Sequence, residues 1–321
     1  MNFDLRYPVW SSFLALGLGV LPVLAWASQS AAPGWQALPA GQQVLSPNEQ
    51  GGLVLAVYGF KSVYMLLALA ALALIWDEVG PAWRTLQASL AAFWLGEFFC
   101  GINILFYFEE SLVFEYLHSL FMTFCLGLLF YSVMEAVDAN ILHYSNPRER
   151  CALAGNCKNC VKGQPAHASA CLLRKLFQWM MPLTAVLAGM PLMAQALNFS
   201  FVTSVFGSPR LLTHLISIQW YELRFTPAAA LALLAAAWLA LVWKGNSPTG
   251  LQISKILLSA AVGQLGFSLM RLSFAAYYRE QLVWFVFWEE LTELLLICAV
   301  LILVSLTRPG KLWGRIVGWF G

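Results

Sequence analysis

Eight apolar runs, at roughly 9–28, 53–76, 85–107, 113–137, 175–197, 226–243, 255–276 and 283–306, dominate this chain. Each approaches the ~20 residues that a helix needs to cross a bilayer. A backbone in hydrocarbon must satisfy its own N–H and C=O groups, so such runs cross as helices. The expected fold is therefore all-α, a polytopic transmembrane helical bundle of about eight helices. Composition agrees: 60% of residues are hydrophobic and only 11% charged, against roughly 25% charged in ordinary globular proteins. So few charges cannot cover a water-soluble surface, and most of the chain must face lipid or other helices. A net charge of +2 gives no electrostatic footprint for nucleic acid.

The first run admits two readings. Arg6 precedes an apolar stretch ending in Ala25-Trp26-Ala27, which resembles a signal-peptidase site. Cleavage of residues 1–27 would leave seven helices, whereas Asp4 weakens the basic leader and favours a retained anchor. With the N-terminus inside, 13 of the 18 Lys and Arg residues fall on cytoplasmic positions and five outside. The positive-inside rule thus supports N-terminus and C-terminus inside. The expected location is a bacterial-type inner (cytoplasmic) membrane, with the lipid bilayer as the first partner.

Three regions follow. Residues 1–137 hold the first helices and an outer Gly/Pro-rich loop at 29–52. Residues 138–175 form a cytoplasmic Cys-rich loop, and 176–321 hold the second set of helices. Within the latter, the outer segment 198–225 places Leu211, Leu212, Leu215, Ile216 and Trp220 at near-helical spacing, which suits an interfacial helix. A short parallel repeat is also suggested: Gly96-Glu97 followed by Glu115-x-x-His118, then Gly263-Gln264 followed by Glu290-x-x-Glu293.

Four of the seven cysteines, Cys151, Cys157, Cys160 and Cys171, fall within 21 residues of the cytoplasmic loop. A reducing compartment disfavours structural disulfides there, so the clustering points to metal. The C-x-x-C turn lets two thiolates converge on one ion, and Arg148, Arg150, Lys158 and Lys162 would offset their charge. Over about ten residues, Cys151 to Cys160 resembles the cluster loop of plant- and vertebrate-type [2Fe–2S] ferredoxins. The resemblance implies an iron–sulfur cluster on these cysteines. It does not extend to a ferredoxin domain, since Cys171 follows too soon and no ferredoxin sheet is encoded. A structural zinc site on the same four cysteines is the alternative.

A second constellation lies within the apolar runs. Ionisable side chains in a membrane are costly, which makes them functional candidates. Lys61, Glu97, Glu115, His118, Arg271, Glu289, Glu290 and Glu293 all fall in the outer half of their expected helices. Glu97 and Cys100 share a helical face, with Asn103 beyond them, and Glu115, His118, Met122 and Cys125 form one stripe. Glu115-x-x-His118 has the ligand spacing of di-iron carboxylate bundles, though only one such motif is present. The same residues also suit a mononuclear metal or proton site, a quinone-binding site, or ion pairing between helices.

Three functions are consistent with these features. One is membrane electron transfer, with the cysteine loop exchanging electrons with a quinone or metal at the polar site and with a redox partner subunit. The second is a cation, proton or metal transporter that uses the intramembrane carboxylates. The third is a non-catalytic assembly or anchor subunit of a membrane complex. No G-x-S-x-G elbow, H-E-x-x-H or P-loop occurs in the chain.

Overall fold

Ser46 opens the first helix with a reciprocal capping box: its hydroxyl accepts from the Glu49 N–H at 3.4 Å, and its own N–H donates to Glu49 Oε2 at 2.8 Å. Pro47 occupies the first turn, where its missing N–H costs nothing. The computed structural model describes residues 46–107, 111–139, 165–193, 199–205, 208–214, 218, 220–244, 248–277 and 282–307. The expected first run at 9–28 and the chain beyond 307 lie outside the described residues.

Seven helices follow: α1 (Pro47–Leu74), α2 (Pro81–Tyr107), α3 (Leu112–Val137), α4 (Pro165–Met193), α5 (Thr226–Lys244), α6 (Pro248–Tyr277) and α7 (Leu282–Thr307). The expected runs 85–107, 113–137, 226–243, 255–276 and 283–306 lie within these helices, while 53–76 extends two residues past Leu74 and the end of 175–197 lies outside the described residues. Among the described residues, four segments are long and apolar enough to cross a membrane by length and composition: α1, α2, α3 and Tyr221–Trp243. Their lipid-type character also shows in where polarity lies. Trp179 is 81% exposed, Trp243 80% and Leu66 67%, while Glu97 is 0% exposed and Lys61 6%. Apolar outside and charged inside is the reverse of a water-soluble bundle.

The helices pack in two groups that meet at α3 and α6. One core joins Tyr64, Ala68 and Ile75 of α1, Leu90 and Phe93 of α2, Met122 and Leu128 of α3, and Ile297 and Val300 of α7. The other joins Phe177 and Met181 of α4, Leu234 and Leu241 of α5, Leu258 and Leu265 of α6, and Met134 near the C-terminal end of α3. Hydroxyls bond helix to helix: Ser89 of α2 donates to the Cys125 carbonyl of α3 at 2.8 Å, and Ser254 of α6 to the Ala237 carbonyl of α5 at 3.1 Å.

Between the groups, α3 and α6 touch backbone to backbone. A Cβ on Gly263 would stand 2.5 Å from the Thr123 carbonyl oxygen and 2.9 Å from Gly127 Cα. Only glycine permits that approach. Gly96 of α2 also faces α3, meeting His118 O and Met122. The two glycines therefore converge on one helix, whereas a duplicated pair of halves would send Gly263 against α7, as Gly96 is sent against α3. The packing does not reproduce the suggested repeat.

Two expectations are corrected. The segment expected as an interfacial helix instead holds an antiparallel hairpin, β1 (Phe199–Val205) with β2 (Ser208–His214), in which Phe199 pairs with His214 and Val205 with Ser208. Phe199-Ser-Phe-Val-Thr-Ser-Val205 is rich in β-branched and aromatic residues, and only Phe206-Gly207 separates the strands, a spacing suited to a tight hairpin. The fourth helix begins at Pro165, ten residues before the expected start at 175, so the end of the expected Cys-rich loop is helical.

Candidate functional site

Three helices bring their charges to one point. A π turn at Leu55–Phe60 ends on the Lys61 N–H, which bonds to the Ala56 carbonyl five residues back. Such a turn changes the facing of everything after it and is often found at functional sites. Here it precedes the lysine whose ammonium turns into the bundle. Lys61 Nζ lies 2.5 Å from Glu97 Oε2 of α2 and 3.0 Å from Glu290 Oε1 of α7. It also donates to the Tyr64 hydroxyl at 2.8 Å and lies 3.5 Å from Cys100 Sγ. The Tyr64 hydroxyl is within hydrogen-bond reach of Oε2 on both Glu97 and Glu290. Glu293, one turn beyond Glu290, is buried beside them and joins Glu97 and Glu290 in a set of carboxylate oxygens within 4.8 Å of one another.

The α3 side of the site is held by backbone. His118 Nδ1 lies 3.1 Å from the Gly96 carbonyl oxygen and 3.5 Å from Glu97 Oε1. A carbonyl partner makes Nδ1 the protonated nitrogen, since two lone pairs would otherwise face each other. Gly96 is what allows α2 to come this close. Glu115 does not join the lysine cluster: its Oε1 accepts from Asn103 Nδ2 at 2.6 Å, while Asn103 Oδ1 accepts from the Ser111 N–H at 3.1 Å. Asn103 thereby ties the end of α2 to the start of α3. Glu115 and His118 share a stripe but serve different partners, so the expected E-x-x-H ligand pair does not form as a unit.

The remaining expected site residues divide. Glu290 and Glu293 are in the cluster, while Glu289 is half-buried and is not among the partners of Lys61 or Tyr64. Arg271 lies in α6, but its side chain is outside the described residues. Cys151, Cys157 and Cys160 also lie outside them, and Cys171 falls in the first part of α4 with its side chain undescribed. Lys61 sits at the middle of its helix, whereas Glu97, Glu290 and His118 lie nearer one end of theirs, ten residues from Tyr107, eight from Leu282 and six from Leu112. Lys61 is fourteen residues from Pro47 and thirteen from Leu74, and Glu293 is eleven from Leu282 and fourteen from Thr307.

Sequence reasoning missed two participants. Tyr64 is fully buried and touches every charged member except Glu293 and His118. Its i, i+3 relation to Lys61 was the available signal. The second is an ion pair between Lys255 of α6 and Glu135 of α3, both buried. Lys255 also stands 5.2 Å over the Tyr131 ring, and Gln252 donates to the Tyr131 hydroxyl at 2.8 Å.

The chemistry of the central site follows from its count of charges. Among the described residues three carboxyl groups surround one ammonium, and two buried oxygens, Glu97 Oε1 and Glu293 Oε2, have no hydrogen-bond partner. An uncompensated carboxylate away from water is strongly penalised. The site therefore has room for further positive charge, as protons or as a bound cation. A second donor set, Glu97, Cys100 and His118, also lies within 4.8 Å. In comparisons with known proteins, no family model, curated protein or solved structure matches the chain.

Proposed function

We propose that the chain is a polytopic carrier of a bacterial-type inner membrane, in which the Lys61–Glu97–Glu290–Glu293 cluster binds and releases a proton or small cation. The observation that carries this reading is the charge imbalance just described, with two buried carboxylate oxygens left without a hydrogen-bond partner. An ion pair that served only to join helices would be balanced and its oxygens bonded. The glycine contact between α3 and α6 is a second support, because it gives two helix groups a narrow line about which to rock.

In this reading about eight helices cross the bilayer with both termini inside, Lys61 lies near the midplane, and Glu97, His118 and Glu290 lie in the outer half. Chain entry at Pro47 is from the outer face. The experiment is ion flux in proteoliposomes under an imposed proton or cation gradient. Glu97→Gln and Glu293→Gln should each abolish flux; unchanged flux in both overturns the proposal.

The cysteine spacing favours a second reading. Cys151, Cys157, Cys160 and Cys171 as ligands of a cytoplasmic iron–sulfur cluster, or of zinc, would couple the same intramembrane site to redox chemistry, with quinone and a partner subunit as the electron exchange route. Anaerobic purification with iron and sulfide analysis separates the two: a chain that carries flux and binds neither iron nor sulfide is a carrier alone.

A further inference from the structure

We infer that the species handled at this site is the proton, held on Glu290 and passed to Glu97 through the Tyr64 hydroxyl. The inference deepens the carrier reading and rests on it for its biological purpose, but its chemistry stands on hydrogen-bond geometry alone.

The Tyr64 oxygen has three neighbours: Lys61 Nζ, Glu97 Oε2 and Glu290 Oε2. A phenol has one proton to donate. Lys61 donates to the hydroxyl, so its own proton serves one carboxylate only. The other oxygen–oxygen contact needs a proton supplied by a carboxylic acid. Glu97 Oε2 receives the shorter contact from the Lys61 ammonium, 2.5 Å against 3.0 Å for Glu290, so Glu97 is the ionised partner. Glu290 Oε2–H then donates to the Tyr64 oxygen, and Tyr64 O–H donates to Glu97.

Transfer along this line is balanced. The Glu290 acid proton moves to the Tyr64 oxygen as the Tyr64 proton moves to Glu97 Oε2. Glu290 becomes the carboxylate, Glu97 becomes the acid and Tyr64 ends unchanged. No charge is created in the low-dielectric interior. The Lys61 ammonium touches both carboxyls and so can neutralise whichever one is ionised. The other facing groups fit the same scheme. From α7, Glu293 has an oxygen with no partner, which a carboxylic acid tolerates better than a carboxylate. From α2, Cys100 lies against Lys61, and from α3, His118 Nδ1 is engaged by the Gly96 carbonyl.

The geometry favours the proton over a metal ion. The centre of the donor set is already filled by the Lys61 ammonium, which contacts Glu97, Glu290, Tyr64 and Cys100. A metal would have to displace it.

Infrared spectroscopy of the full chain in lipid nanodiscs tests this, because a protonated carboxyl has a carbonyl stretch distinct from that of a carboxylate. At neutral pH the wild type should show such a band, sensitive to deuterium exchange. Glu290→Gln should remove the component of the band that Glu290 contributes, leaving only any component from Glu293. Tyr64→Phe should keep the Glu290 component but shift it to higher frequency, since its acceptor is gone, and should slow proton flux by about tenfold or more. Circular dichroism and thermal unfolding of each variant establish that it is folded. A wild type without the band, a band unmoved in both variants, or its loss on adding sodium or zinc ions would overturn the inference. A band that behaves as stated in a chain with no flux would leave the relay standing and remove the carrier reading instead.

Discussion

Lys255 of α6 and Glu135 of α3 form a buried ion pair about two helical turns along from the point where Gly127 and Gly263 bring those same two helices into backbone contact, toward the C-terminal end of α3. The pair thus spans the seam between the two helix groups. Removing one partner leaves the other as an unpaired charge, a loss of roughly 3–5 kcal/mol for buried pairs. Lys255→Met and Glu135→Leu should each lower the unfolding temperature in detergent, and the double variant should recover most of the loss. Equal loss in the single and double variants would show that the two charges do not act on each other.

The glycine contact makes a separate prediction. A methyl group on Gly263 would meet the Thr123 carbonyl at 2.5 Å, whereas one on Gly127 would meet the Ser259 carbonyl at 3.2 Å. Backbone cannot give way as a side chain can. Gly263→Ala should therefore destabilise by about 1–3 kcal/mol, the usual range for overpacking, and Gly127→Ala by less. Thermal unfolding of the two variants, measured side by side, checks the order.

Much of the helical framework was legible because lipid demands long apolar runs, and little else satisfies that demand. What was lost is instructive. Ser46-Pro47-Asn48-Glu49 is a helix-start signature inside the polar run 29–52 expected as a loop, and it opens α1 six residues before the apolar run begins at 53. The hairpin was missed because Leu211, Leu212 and Leu215 fit a helical period, while the β-branched alternation of Phe199–Val205 went unweighed. Glu97, His118, Glu290 and Glu293 were legible because charge in an apolar run is conspicuous. Tyr64 was not, since aromatic residues are abundant in such runs and only the neighbours of its hydroxyl distinguish it. Lys255 was counted as one more inside charge; that it has a buried partner is a fact of packing across 120 residues.

The cysteine spacing predicts a metal in the purified chain. Iron with sulfide in a cluster ratio, or one zinc per chain, is expected after anaerobic preparation. Cys157→Ser and Cys160→Ser should each abolish it, because the C-x-x-C turn brings two ligands from one local structure. Elemental analysis checks this, and electron paramagnetic resonance after reduction separates iron–sulfur from zinc. Metal retained in both variants would exclude these residues as ligands.

Lys61 provides the sharpest test of the charge imbalance at the centre. Among the described residues, its removal leaves Glu97, Glu290 and Glu293 with no ammonium among them, and His118, 3.5 Å from Glu97, as the remaining ion-pair contact. Lys61→Met should destabilise the fold at neutral pH, because the orphaned carboxylate is in a medium that cannot solvate it. The sign of the pH dependence follows: a penalty carried by an ionised carboxyl falls as the group takes up a proton, so the variant should regain stability as pH is lowered. Lys61→Arg retains the charge but not the compact ammonium that reaches four partners, so it should keep stability while losing flux. Unfolding temperatures of the wild type and both variants across the acidic to neutral range measure this. A Lys61→Met variant whose deficit is the same at every pH would show that its carboxyl neighbours are already neutral, and that the lysine contributes packing alone.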